Sequence, residues 1–108
     1  MKRLLDEANK NLKNLGNEYP DLMKAFSGFM YEVEKPGALD KKTKRLISVS
    51  LSITAHCKWC IAFHVKGALD AGASKDEIME SCFTAALMGG GPALMYTQLA
   101  VKALEEFA

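Results

Sequence analysis

The chain of 108 residues is 49% hydrophobic and 25% charged, a composition typical of one globular domain, so residues 1–108 are treated as a single domain. Fourteen basic and thirteen acidic residues leave a net charge of +1, which excludes a polybasic nucleic-acid surface as the main feature, and we expect no nucleic-acid partner. No apolar run reaches the roughly 18 residues of a transmembrane helix. Asp6 and Glu7 interrupt any secretory signal, so we expect a cytoplasmic protein without a membrane role.

Leucine and alanine contribute 27 residues, whereas valine, isoleucine and threonine contribute 12, which favours helices over strands. Apolar residues recur every three or four positions over residues 2–15 and predict an amphipathic helix that ends near Gly16. A second helix is predicted to begin with Pro20 in its first turn and to run to about Glu34, where a Lys-Pro-Gly sequence stops it.

Asp40 is predicted to cap a third segment, which has two interpretations. Residues 47–53 alternate strictly between apolar residues and serine, the pattern of a half-buried strand. As a helix, the same segment places Leu46, Val49 and Ile53 on one face, and its serines would let neighbouring helices approach closely. Periodicity alone leaves both interpretations open.

The remainder of the chain has helical patterns. Residues 57–71 follow helical spacing, and a Ser-x-x-Glu capping box at 74–77 predicts the start of the next helix. Three glycines at 89–91 break the chain, and the proline after them suits the first turn of a last helix that ends near Phe107. The sequence therefore predicts an all-α fold of five to six helices.

The residues with the most distinctive chemistry form a C-x2-C-x3-H motif of Cys57, Cys60 and His64. At 3.6 residues per turn they fall on one stripe of a helix, so both sulfurs and the imidazole can meet in one small volume. Near a helix N-terminus the free amides stabilise a thiolate, and such a placement can lower a thiol pKa from about 8.5 to roughly 3.5–7.5. With His64 as proton acceptor for Cys60, the motif predicts a dithiol that cycles to a disulfide.

The motif has four other interpretations. The cysteines could be an inert buried pair. A zinc site would need a fourth ligand from His56 or Cys82, since three ligands on one straight helix cannot surround a tetrahedral ion. Haem attachment requires a histidine directly after the second cysteine, where Ile61 stands. A thioredoxin-like unit needs further strands after Cys60, where only helical patterns occur. We therefore expect no metal and no cofactor.

Residues 39–100 resemble the alkylhydroperoxidase D-like branch of the carboxymuconolactone decarboxylase family. The match consists of Leu39-Asp40-x-Lys42-Thr43-Lys44-x-Leu46-Ile47, the C-x2-C-x3-H motif, and Ala68-x-x-Ala71-Gly72-Ala73-Ser74-x-x-Glu77-Ile78. The resemblance implies an alkylhydroperoxidase D-like helical fold, with residues 47–53 in a buried helix and the C-x-x-C pair in the N-terminal part of a central helix. It also implies a homo-oligomer, commonly a trimer or a hexamer.

The resemblance implies a peroxidase as well. Carried over by position, Cys60 attacks the hydroperoxide substrate and becomes a sulfenic acid, Cys57 resolves it to a disulfide, and His64 relays protons. The disulfide would then be reduced by a dithiol partner, such as a lipoyl- or thioredoxin-type protein. These three residues are the predicted catalytic residues.

Two positions depart from the peroxidase pattern of the family. Arg45 stands where a glutamate is usual, twelve residues before the first cysteine, and Trp59 replaces a histidine between the cysteines. Arg45 could lower the pKa of a cysteine, but on a helix with three nearby lysines we expect it to point to solvent. The relay would then lack its carboxylate, which puts efficient peroxidase turnover in question.

Two alternative functions stay open. The first is a disulfide-exchange or redox-sensing module without peroxidase turnover. The second is a carboxymuconolactone decarboxylase-type enzyme, although that branch does not use a C-x-x-C pair. Outside the motif, Cys82 is expected in the core, and Phe26, Phe29 and Met30 are expected to form a packed core stripe rather than to line a pocket.

Overall fold

The computed structural model describes residues 1–108 and contains five helices and no strand. In chain order these are α1 (Lys2–Glu18), α2 (Pro20–Glu34), α3 (Lys41–Thr54), α4 (Lys58–Asp70) and α5 (Lys75–Phe107). The predicted all-α fold is confirmed, and α3 covers the ambiguous segment. None of the helices combines the length and the apolar character needed to cross a membrane.

Side-chain caps fix the start of two helices. The carboxylate of Asp40 accepts a hydrogen bond of 2.7 Å from the backbone N–H of Thr43 at the start of α3. At the start of α5, the hydroxyl of Ser74 accepts from the N–H of Glu77 at 3.1 Å, and the Glu77 carboxylate accepts from the N–H of Ser74 at 2.9 Å. These bonds satisfy amides that have no partner within a helix, so the caps were predictable from local sequence.

The serines of α3 lie where helices meet. Val49, Ser52 and Ile53 are buried, and the hydroxyl of Ser50 donates to the carbonyl of Ser81 on α5. The Ser52 hydroxyl donates back to its own helix, so this buried polar group is satisfied. Small side chains at alternate positions thus let α3 lie close to both α4 and α5, and the alternation reflects helix packing rather than a strand.

A kink divides α5 at the predicted glycine break. Gly90 has φ 69° and ψ −155°, a conformation outside the helical region that is open almost only to glycine. Gly89 is restricted in another way, since a Cβ added there would lie 2.7 Å from the Cβ of Ala93. Pro92 follows in the first turn of the second arm, where its missing N–H costs no hydrogen bond.

The core lies between α3, α4 and the two arms of α5. Burial of these side chains supplies most of the stability, at roughly 25 cal/mol per Å² of apolar surface. The largest fully buried side chains come in pairs from the three helices: Val49 and Ile53, Ile61 and Val65, Ile78 and Cys82.

The α1–α2 hairpin lies outside this core, and neither of its helices contains a fully buried residue. Helix α1 contacts α4, whereas no Cα of α2 comes within 8 Å of a Cα of α4. The C-terminal end of α2 is held by Lys44, whose ammonium donates to the carbonyls of Val33 and Lys35, both at 2.8 Å. An open space therefore remains between α2 and α4.

Candidate functional site: a dithiol on the wall of a groove

The turn between α3 and α4 fixes the backbone of Cys57. Its N–H donates to the carbonyl of Ser52 at 3.2 Å, and the N–H of His56 donates to Ile53 at 3.1 Å, the pair of bonds of a Schellman motif. His56 adopts the left-handed conformation (φ 54°) that glycine usually supplies there, and its ring stacks on Tyr96 with 4.5 Å between centroids. Cys57 thus ends the cap of α3 and begins α4.

Cys57 and Cys60 are joined by a disulfide, with their Cα atoms 5.2 Å apart. The backbone N–H of Cys60 donates to the sulfur of Cys57 at 3.2 Å, so Cys57 is the N-cap of α4. Free amides and the positive end of the helix dipole favour negative charge at this position. A thiolate at Cys57 in the reduced protein would occupy the same N-cap position.

His64 lies one turn beyond Cys60 and is half-buried. Its Nδ1 is buried and makes no hydrogen bond, and the ring of Phe63 meets the imidazole edge-on at 5.2 Å. Burial, reinforced by the positive charge of Arg45, lowers the pKa of His64, while the negative charge of Glu34 acts in the opposite direction. The imidazole is therefore neutral at pH 7 and can accept a proton.

Arg45 does not point to solvent, and that prediction was wrong. Its side chain is 18% exposed, and its guanidinium forms an ion pair of 2.6 Å with the carboxylate of Glu34 at the end of α2. Gly67 on α4 makes this possible, because a Cβ at that position would lie 3.3–3.5 Å from three Arg45 side-chain atoms. The arginine therefore lies against α4, one turn beyond His64.

Glu34 is the residue of this site that the sequence analysis missed. It places a carboxylate near the imidazole although position 45 does not supply one. Glu34 lines two cavities, a groove between the α1–α2 hairpin and α4 and a second hollow of about 430 Å³. Its carboxylate therefore lies between the two. The sequence shows Glu34 only as an acidic residue directly before the Lys-Pro-Gly that stops α2. Its pairing with Arg45 depends on how the segment after α2 leads into α3.

A groove of about 960 Å³ between the α1–α2 hairpin and α4 has Cys60 and His64 on its wall. Cys57 does not line it, so Cys60 is the sulfur that a molecule in the groove would meet. The larger apolar residues that line it are Leu12, Met23, Phe26, Met30, Trp59 and Phe63.

The predicted core stripe on α2 was wrong. Phe26 is 57% exposed and lines the groove together with the half-buried Met30, while Phe29 is exposed and does not line it. The reason is that α2 contacts α1 but keeps its distance from α4, so the side of α2 that faces the groove stays uncovered.

Cys82 is separate from the dithiol. It is fully buried in the core, as predicted, and burial raises the pKa of its thiol to about 11. It therefore stays protonated at neutral pH and is a poor nucleophile. No three His, Cys, Asp or Glu side chains of the chain come together in an arrangement that could hold a metal ion.

The fold agrees with the comparisons with known proteins. The model of the carboxymuconolactone decarboxylase family matches residues 20–105, and the chain belongs to this family. An uncharacterised protein of the cox locus of Paracoccus denitrificans is 43% identical over 82 residues, which cover 76% of this chain and 74% of that protein. An uncharacterised protein of Cupriavidus necator is 36% identical over 107 residues, covering 99% of this chain and 92% of that protein.

Two solved structures of the family are similar along most of the chain. A carboxymuconolactone decarboxylase family protein from Legionella pneumophila superimposes with a TM-score of 0.95 at 39% identity, covering 98% of this chain and 95% of that one. A family protein from Thermotoga maritima, for which a part in the antioxidative response has been suggested, gives 0.85 at 32% identity over 94% and 87% of the two chains.

Proposed function

We propose that the protein is an alkylhydroperoxidase-like peroxidase, which reduces hydroperoxides by cycling Cys57 and Cys60 between dithiol and disulfide. The observation that carries the proposal is the division of the two sulfurs between two environments. Cys60 lies on the groove wall together with a neutral His64. Cys57 lies at the N-cap of α4 and forms the disulfide with Cys60. One sulfur is thus placed to meet a substrate and the other to close the disulfide.

In the first step His64 accepts the proton of the Cys60 thiol, and the thiolate attacks one oxygen of the hydroperoxide. The O–O bond breaks, Cys60 becomes a sulfenic acid, and the departing alkoxide takes the proton from His64 to leave as an alcohol. Sulfur is oxidised and the peroxide is reduced by two electrons.

In the second step the thiolate of Cys57 attacks the sulfur of the Cys60 sulfenic acid. The S–O bond breaks, and hydroxide leaves and takes the proton that the Cys57 thiol released, which gives water. One hydroperoxide and two thiols therefore yield one alcohol, one water and the disulfide. The N-cap position of Cys57 favours the thiolate that this step requires.

A dithiol partner, such as a lipoyl- or thioredoxin-type protein, would then reduce the disulfide. We expect the partner thiolate to attack Cys60, because this sulfur lines the groove and because Cys57, stabilised as a thiolate at the N-cap, is the better leaving group. The reducing cytoplasm supplies such dithiols, and we propose that the protein acts there.

The ion pair of Glu34 and Arg45 takes the place of the missing family glutamate in this proposal. Arg45 helps to keep His64 neutral and ready to accept a proton, whereas Glu34 stabilises the imidazolium that forms when it does.

The experiment that tests the proposal is a count of free thiols on the reduced protein before and after one equivalent of an organic hydroperoxide, with intact mass on the same samples. We expect two of the three thiols to disappear and the mass to fall by two hydrogens. The Cys60→Ser variant should lose the reaction, and Cys57→Ser should stop at a sulfenic acid. Cys82→Ala is the matched control and should react like the wild type.

The same measurement separates the alternatives. Three thiols that survive every hydroperoxide would contradict the peroxidase. Rapid exchange of the disulfide with a dithiol protein would then support a disulfide-exchange or redox-sensing module. If a variant with both Cys57 and Cys60 replaced still converted a lactone acid, the protein would instead be a carboxymuconolactone decarboxylase-type enzyme.

A further inference from the structure

The charges around the groove are unevenly distributed. Its charged lining residues are Lys13, Lys24 and Glu34. Glu34 is neutralised by Arg45, whereas neither lysine has an acidic partner within 4.0 Å. The two unpaired ammonium groups therefore give the groove a net positive charge.

Lys24 and Glu34 lie far apart along the groove. Lys24 precedes Glu34 by ten residues on α2, which corresponds to about 15 Å along the helix axis. Glu34 marks the end next to His64, through its ion pair with Arg45. Between the two ends the wall is formed by apolar side chains, including Phe26 and Met30.

We propose that the groove binds the hydroperoxide of a long-chain fatty acid, with the carboxylate at Lys13 and Lys24 and the hydroperoxide group at Cys60. This inference rests on the proposed peroxidase function and names its substrate class. An aliphatic chain matches the apolar wall, and a terminal anion matches the unpaired lysines.

The same charges select one orientation. The two lysines attract the carboxylate, and the rest of the chain lies along the apolar wall toward Cys60. A small peroxide such as hydrogen peroxide reaches neither the lysines nor most of the apolar wall. It therefore gains little binding energy, and we expect the long-chain acid to be the better substrate.

Binding can be measured without turnover, because Trp59 is the only tryptophan and lines the groove. The experiment titrates the disulfide form with linoleate, which carries no peroxide, and with methyl linoleate, which lacks the charge, both below the concentration at which they aggregate. We expect Trp59 fluorescence to change with both and the acid to bind about tenfold more tightly, the effect of two exposed ion pairs.

Two double variants locate the charge effect. Lys13→Gln with Lys24→Gln should reduce the affinity for linoleate to that for its methyl ester. Lys10→Gln with Lys102→Gln is the matched control, since it removes the same charge from exposed lysines outside the groove lining, and it should leave the preference unchanged. Equal affinity for acid and ester in the wild type, or equal loss in both variants, would overturn the inference. The inference would also be overturned if Trp59 fluorescence responded to neither compound, as it would if a second copy filled the groove.

Turnover then separates this inference from the function on which it rests. Thiol loss with tert-butyl hydroperoxide but no binding of linoleate would leave the peroxidase standing and remove the fatty-acid substrate. Binding of linoleate without thiol loss to any hydroperoxide, linoleic acid hydroperoxide included, would remove both the peroxidase and this substrate assignment. Higher kcat/KM for linoleic acid hydroperoxide than for its methyl ester, lost in the Lys13/Lys24 variant alone, is the result we expect.

Discussion

Single residues decide whether the imidazole of His64 can serve as a base. Burial and Arg45 lower its pKa, and Glu34 raises it, so the two partners of one ion pair act on His64 in opposite directions. The balance leaves a neutral imidazole beside a thiol that has to lose a proton. This arrangement differs from a conventional carboxylate–histidine pair because the carboxylate is paired with an arginine.

Replacing Arg45 and replacing Glu34 should shift the pKa of His64 in opposite directions. Arg45→Met should raise the pKa of His64, because it removes a positive charge from beside a buried imidazole, and Glu34→Gln should lower it further. The measurement is an NMR titration of the two histidines, with His56→Asn to assign them; asparagine tolerates the left-handed conformation of that position. A merely structural role would shift both variants in the same direction, and that result would contradict the proposal.

The same substitutions should cost stability. Breaking a half-buried ion pair leaves one charge without its partner, and we expect Glu34→Gln to lower the free energy of unfolding by about 1–3 kcal/mol, between the effects for exposed and for buried pairs. Urea denaturation measures this. Glu32→Gln, on an exposed pair of the same helix, is the control and should change stability by less than about 1 kcal/mol.

The lowered pKa of His64 also predicts how stability depends on pH. Between its folded pKa and the ordinary value of 6.5, the unfolded chain binds more protons than the folded chain at this residue. The free energy of unfolding should therefore fall as the pH drops below about 6.5. Lowered carboxyl pKa values, as at Glu77, act only below about 4.5, so His64→Gln should flatten the curve between pH 4.5 and 6.5. An unchanged slope in that variant would contradict the assignment.

At the scale of helices, the structure follows local signals closely. The caps at Asp40 and Ser74 and the break at residues 89–91 were predictable, because each depends on neighbours within four residues. The partnership of Glu34 with Arg45 was not predictable, since it depends on how the segment after α2 returns to α3 and on the space that Gly67 leaves. Short-range chemistry thus specified the elements, and helix packing specified the site.

The glycine kink in α5 gives a prediction at this scale. Gly90→Ala should lower the free energy of unfolding by about 1–3 kcal/mol, because φ 69° with ψ −155° is strained for any residue with a Cβ. Gly91→Ala is the matched control: a Cβ there meets no atom within 4 Å, and alanine favours a helix over glycine by up to about 1 kcal/mol. Equal effects in chemical denaturation would show that the kink does not require Gly90.

On the scale of the whole molecule, apolar surface remains uncovered. Leu51 is 61% exposed, Leu87 81% and Met88 84%, and none of these three residues lines the groove. Sequence periodicity identifies the apolar positions of each helix. It does not distinguish a helix face that packs within the chain from one that packs against another chain. We propose that a second copy covers part of this surface, in a homo-oligomer such as a trimer or a hexamer.

The assembly is tested by sedimentation. The double variant Leu87→Glu/Met88→Glu should shift the protein toward the monomer, because each large apolar side chain contributes about 1.5–3 kcal/mol when fully buried. Lys10→Glu, an exposed position on α1, introduces a similar charge and should leave the assembly intact. A wild-type protein that sediments as a monomer at all concentrations would contradict the proposal.

The position of Cys57 has a consequence for the kinetics of the reaction cycle. Its backbone is held by the closing hydrogen bonds of α3 and by the first turn of α4, and none of these backbone bonds is a bond that oxidation has to break. The sulfurs can therefore join and separate without any unwinding of the helices. We expect the disulfide to close without a preceding conformational change. Added viscosity should therefore slow the encounter with substrate or reductant and leave the rate of disulfide closure unchanged.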